Sequence, residues 1–168
     1  MNFTPGQTSA NQVVVTFDQY GDARLYNAYG HVHLIADFQG VAGCGQDLPF
    51  FPLAPTRVLD TRNGAGAPRS ALPGGSAVTV KVAGTNGIPA GAKAVLVNLT
   101  GIAPTTGTWL AAYPRGTTRP TASNLNLDQG AIRPALALVP VGTDGSIDIY
   151  NAFGRIDIAA DIRGYYLD

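Results

Sequence analysis

Residues Gly145 to Tyr166 read GSIDIYNAFGRIDIAADIRGYY, and residues Gly21 to Val41 read GDARLYNAYGHVHLIADFQGV. The two stretches are one pattern written twice. Tyr26, Asn27, Ala28, Gly30, Ala36, Asp37 and Gly40 recur as Tyr150, Asn151, Ala152, Gly154, Ala160, Asp161 and Gly164, always 124 positions on. The offset continues upstream, where Asn2, Gly6 and Val15 meet Asn126, Gly130 and Val139. From His31 to Phe38 the side chains alternate: Val32, Leu34, Ala36 and Phe38 on one side, His31, His33, Ile35 and Asp37 on the other. A period of two is the signature of a strand. Gly30 stands between two short runs, where a hairpin would turn.

A repeat of that length is too long for a solenoid unit and has the size of a domain. The chain therefore reads as the tail of one module followed by a complete second one. Residues 1–44 are expected to form three strands, from Val13 to Val15, Ala23 to Tyr26 and His31 to Phe38. Residues 45–55, rich in Gly and Pro, read as a connector, and residues 56–168 as the complete module. Its strands are expected over Arg57–Thr61, Ala77–Val82, Ala92–Thr100, Trp109–Tyr113, Ser123–Leu127, Ala135–Val141, Ile147–Tyr150 and Arg155–Tyr165. AKAVLVNLT, from Ala92, is apolar on both faces over its middle, as for a strand covered on both sides. No stretch combines a 3.6-residue period with helix caps. Many short strands with regular turns predict an all-β antiparallel sandwich, jelly-roll-like, with the N-terminal strands packing on the complete module. The alternative is that those strands add to a neighbouring subunit.

Bulk composition narrows the partners. Lys and Arg number 11, Asp and Glu together number 11, and the net charge is zero. Nucleic-acid binding needs a basic face and a membrane patch needs a polybasic run, so neither is expected. No apolar run reaches the ~20 residues of a membrane-spanning helix. Nothing before Asn2 has the basic and apolar regions of a signal peptide, so either export is directed from elsewhere or that route is not used. Charged residues are 13% of the chain, and Thr, Ser, Asn, Gly and Pro supply the polarity, as on many extracellular and particle surfaces. Cys44 is the sole cysteine, which excludes an intrachain disulfide and a Cys-based zinc site.

At the level of motifs a resemblance emerges. FPLAPTRVLDTRNGAG from Phe51, VAGTNGIPAGAKAVLVNLT from Val82, YPRGTTRPTASNLN from Tyr113 and the closing DGSIDIYNAFGRIDIAADIRGYY run through nearly all of residues 51–168. Together they resemble the LDTR-type repeat module of actinobacterial secreted and cell-surface proteins. The N-terminal residues resemble the last third of the same module. Such modules occur in tandem and are often appended to exported hydrolases. The resemblance implies an extracellular or cell-surface location and a non-catalytic role.

Few residues suit catalysis. All the acidic residues are Asp, because the chain contains no Glu, and the complete module contains neither His nor Cys. That removes the commonest raised-pKa acid and any Ser–His–Asp arrangement within the module, so no catalytic residue and no enzyme is expected. His31 and His33 are spaced like two metal ligands, but the equivalent positions are Arg155 and Asp157, so a solvated strand face is expected. Arg57, Asp60 and Arg62 stand where a strand leaves into the NGAGAP loop, a place where an Arg–carboxylate fork pins a turn. Asp37 and Asp161, three residues before a Gly in each copy, are expected to pin turns too. Calcium is the one cofactor such a carboxylate could hold, although no EF-hand loop is present; otherwise no cofactor or metal is expected.

The aromatic and amide residues point to a ligand. Trp109, Tyr113 and Tyr150 with Asn124, Asn126 and Asn151 have the composition of a carbohydrate platform: rings cover sugar C–H surfaces and amides fork to hydroxyls. Trp109 and Tyr113, four apart on one strand, share a side. The favoured reading is a surface-binding or adhesion module for cell-envelope or extracellular polysaccharide. Its partners would be polysaccharide or neighbouring repeats and subunits, including a homo-oligomer. The alternatives are a structural protein of a phage particle, located in the virion, or a structural spacer in a secreted hydrolase.

Overall fold

The computed structural model describes residues 5–9, 12, 18–37 and 49–167. Nine strands lie in them: β1 (Phe50–Asp60), β2 (Leu72–Pro73), β3 (Ser76–Lys81), β4 (Ala94–Ile102), β5 (Thr108–Pro114), β6 (Leu125–Leu127), β7 (Ile132–Pro140), β8 (Ser146–Asn151) and β9 (Arg155–Tyr166). No helix is present among the described residues. One sheet runs β1-β9-β4-β7, with the short β2 also on β9, and the other runs β3-β8-β5-β6. All pairings are antiparallel. Setting β2 aside, the order is that of a jelly roll: two Greek keys folded into two packed sheets.

The core forms between the sheets by simple alternation. Ile156, Ile158, Ala160 and Ile162 of β9, with Val95, Val97 and Leu99 of β4, meet Val80, Leu110, Ile147 and Ile149 of the opposite sheet, all essentially inaccessible. The GSIDIYN…RIDIAADI pattern thus supplies a central strand to each sheet. Between β4 and β6 a side chain does not fit: a Cβ on Gly101 would lie 2.8 Å from the Leu127 side chain. At the far end of β9, Gly164 leaves room for the Phe50 ring, beside the Phe51–Tyr165 stack with its centroids 5.2 Å apart.

Three expectations need correction. β1 begins at Phe50, inside the segment read as a connector. Pro52 and Pro55 are tolerated because β1 is an edge strand whose register slips between Pro52 and Thr56. β4 is not covered on both faces: it alternates between buried and half-buried residues, since each sheet of a sandwich has one outer face. The third correction concerns the N-terminal strands. Residues 18–37 carry no strand and are exposed throughout, so neither Ala23–Tyr26 nor the described part of His31–Phe38 packs on the module. The physical reason is that the module already holds its own β8 and β9 in the positions this pattern fits. The Val13–Val15 strand and Cys44 lie outside the described residues.

The N-terminal part nevertheless touches the module. The Gln12 side-chain oxygen accepts a hydrogen bond from the Leu138 backbone N–H at 2.7 Å, which occupies a donor of edge strand β7.

Candidate functional site

Two polar constellations stand on the outer faces. On the β1-β9-β4-β7 sheet, Arg57 and Asp161 are cross-strand partners in the β1–β9 ladder. Arg57 donates through Nε to Asp161 Oδ1 at 2.6 Å and through Nη1 to Asp60 Oδ2 at 2.6 Å. Arg62 donates to the same Asp60 from its backbone N–H (3.1 Å), Nε (2.9 Å) and Nη2 (2.7 Å). Hydrogen bonds from Arg62, opposed by burial and assisted by the charges of Arg62 and Arg57, lower the Asp60 carboxyl from 3.8 to about 2. Nearby, Thr61 Oγ donates to Asp157 Oδ1 at 2.7 Å and accepts from the Ile158 N–H at 3.0 Å. The arrangement ties the β1 exit loop to β9. With its carboxylate filled by guanidinium donors, Asp60 is committed to charge-assisted bonds within the chain. Asp37, the counterpart of Asp161, is exposed and borders a shallow depression near Tyr113.

The other constellation is aromatic, on the outer face of β3-β8-β5-β6. Leu110 and Ala112 of β5 point to the core, which turns Trp109, Ala111 and Tyr113 outward. In the same way Ile147 and Ile149 of β8 turn Asp148 and Tyr150 outward. Register then sets the neighbours: Tyr150 opposes Ala111, Asp148 opposes Tyr113, and Asn126 of β6 opposes Trp109. The small Ala111 lets the Trp109 and Tyr150 rings meet, with centroids 5.4 Å apart and planes at 48°. Above them lies Arg119 of the β5–β6 loop, its guanidinium carbon 4.3 Å from the Tyr150 ring centre and 5.4 Å from that of Trp109. Beside the pair is an open depression of about 220 Å³, bordered by Trp109, Asn126, Asp128 and the exposed Phe153.

The predicted platform is thus sorted by the fold. Trp109, Tyr150 and Asn126 stand together and half-exposed. Tyr113 shares their side but is covered, lining a second depression with Pro120, Ala122 and Asn124. Burial, with the Asp148 charge, raises the Tyr113 phenol above its usual value. Asn124 is engaged in holding the loop, its Oδ1 accepting from the Ala112 N–H at 2.7 Å. Asn151 is removed from the platform. Its side chain is fully buried, accepting from Thr108 Oγ at 2.7 Å and donating to the Leu72 carbonyl at 3.1 Å. Alternation explains this: Asn151 follows Ile147 and Ile149 on the inward side of β8.

Sequence reasoning missed Arg119. Its signal was the T-R-P run within YPRGTTRPTASNLN, but only loop closure brings that arginine onto the rings. No group of three or more metal-ligating residues occurs among the described residues. No protein-family model and no curated protein matches the chain.

Proposed function

We propose that the chain is a non-catalytic module that binds cell-envelope or extracellular polysaccharide, outside the cell or on its surface. The observation that carries this reading is the Trp109–Tyr150 pair, opened to solvent beside Asn126 and topped by Arg119. Ring faces cover sugar C–H surfaces, an amide forks to hydroxyls, and a guanidinium held against aromatic faces still offers its N–H edge to an acidic group. The depression is shallow and open, which suits a chain lying across a surface. The resemblance to the LDTR-type repeat points to the same location and to the same lack of chemistry. On this reading the chain hydrolyses no peptide, ester or glycoside. A turnover abolished by changing Asp60 or Asp161 would refute that part.

The test is retention on polysaccharides by affinity electrophoresis or pull-down, with acidic and neutral polymers compared. Binding is expected to weaken at least tenfold in Trp109→Ala while the chain stays folded. Absence of binding to every envelope polysaccharide at millimolar glycan overturns the proposal, as does unchanged affinity in Trp109→Ala. A second reading draws on topology: jelly rolls frame viral capsid proteins as well as lectins. Capsid genes beside the reading frame would favour a particle protein.

A further inference from the structure

We infer that residues 21–37 are the last two strands of a jelly roll whose β1–β5 strands belong to a second module of this same kind. In the complete module the corresponding strands are interior. β8 lies between β3 and β5, and β9 lies between β4 and the β1 and β2 edge. Ile149, Ile156, Ile158 and Ala160 are at most 1% exposed there. Their counterparts 124 positions earlier are Leu25, Val32, Leu34 and Ala36, so the apolar pattern is intact. Yet Leu25 is 65% exposed and Leu34 54%.

The turn between the strands is also already made. Gly30 has φ +68° where Gly154 has +59°, both in the left-handed region that glycine adopts without strain. Asn27 donates from Nδ2 to the Gly30 carbonyl at 3.0 Å, as Asn151 does to the Gly154 carbonyl at 3.4 Å. Among the described residues Asn27 has no counterpart to the rest of the set, a hydroxyl like Thr108 and a carbonyl like Leu72. Among them Asp37 likewise has no guanidinium like the one Arg57 gives Asp161. Each missing group belongs to β1–β5, with Arg57 on β1, Leu72 on β2 and Thr108 on β5, which identifies the occupant. A second copy of the whole chain does not qualify, because its body is already filled by its own β8 and β9. The inference is independent of any glycan.

The offset supplies the experiment, since residue 1 aligns with Leu125. Residues 49–124 are duplicated in front of Met1 of the full chain, so that the added body runs directly into the N-terminal segment. Amide hydrogen exchange at residues 21–37 is then expected to slow at least a hundredfold relative to the unextended chain, and Asn27→Ala in the extended chain to reverse much of that. A companion chain, in which residues 21–37 carry the sequence of 145–161, tests whether the added body folds. Protection in the companion but not in the native sequence overturns the inference, and so does protection in neither. Concentration-dependent protection in the unextended chain overturns it as well, by making a second copy the occupant.

Discussion

Residues 21–37 and 145–161 share an alternation, a turn and a buried-type asparagine, and they differ in what surrounds them. The second stretch is the middle of both sheets. The first holds its turn in the same conformation and exposes every residue. The difference separates local from non-local causes. An Asn–Gly turn with a left-handed glycine forms from residues three apart and needs no neighbours. A strand needs a hydrogen-bonding neighbour beside it and a sheet facing it, and those come from distant sequence.

The sharpest way to break the comparison is to truncate matched core residues. Ile158→Ala is expected to cost about 2–5 kcal/mol in chemical denaturation, and Leu34→Ala under about 0.5 kcal/mol, because only the former leaves a cavity. Equal losses would mean that residues 21–37 are packed in solution.

The paired asparagines come next. Asn151→Ala orphans the buried Thr108 hydroxyl and Leu72 carbonyl, and is expected to cost about 2–3 kcal/mol. Asn27→Ala in the unextended chain removes one exposed bond, for a loss below about 0.5 kcal/mol.

A titration sharpens the role of the first outer face. The Asp60 carboxyl lies at about 2 in the folded chain against an ordinary 3.8, so its contribution is complete above 3.8 and is lost as pH falls through about 2. Asp60→Asn is expected to lower stability by about 1.5–3 kcal/mol at pH 7 and to shrink the acid-side loss. An unchanged pH profile in that variant would assign acid sensitivity elsewhere. On the second outer face, Arg119→Ala is expected to cost about 0.5–1 kcal/mol of stability, through loss of its contact with the Trp109 and Tyr150 rings.

Much of the architecture was legible because strand signals are local. Eight expected strands of the module match β1 and β3–β9 with shifted ends; the two-residue β2 has too few residues to show a period. The turn-pinning reading of Arg57, Asp60 and Arg62 came from residue chemistry beside a Gly-rich loop, whereas Asp161, read the same way, stands within β9 and accepts from Arg57 across the ladder. The platform was harder to read. Composition grouped Asn151 with Trp109 and Tyr150, whereas facing is decided by parity along β8 and β5 and by the register between them.

By itself, then, the sequence determined the alternation, the turns and the repeat: each is written in neighbouring residues and imposed by backbone sterics and side-chain polarity. Only the tertiary structure decided which copy of the repeat is buried, that Asn151 is a core residue, that Tyr113 is covered, and that Arg119 tops the aromatic pair. Those outcomes depend on which strand edges and faces are already occupied. Occupancy is a property of the assembled sheets, and no single segment encodes it.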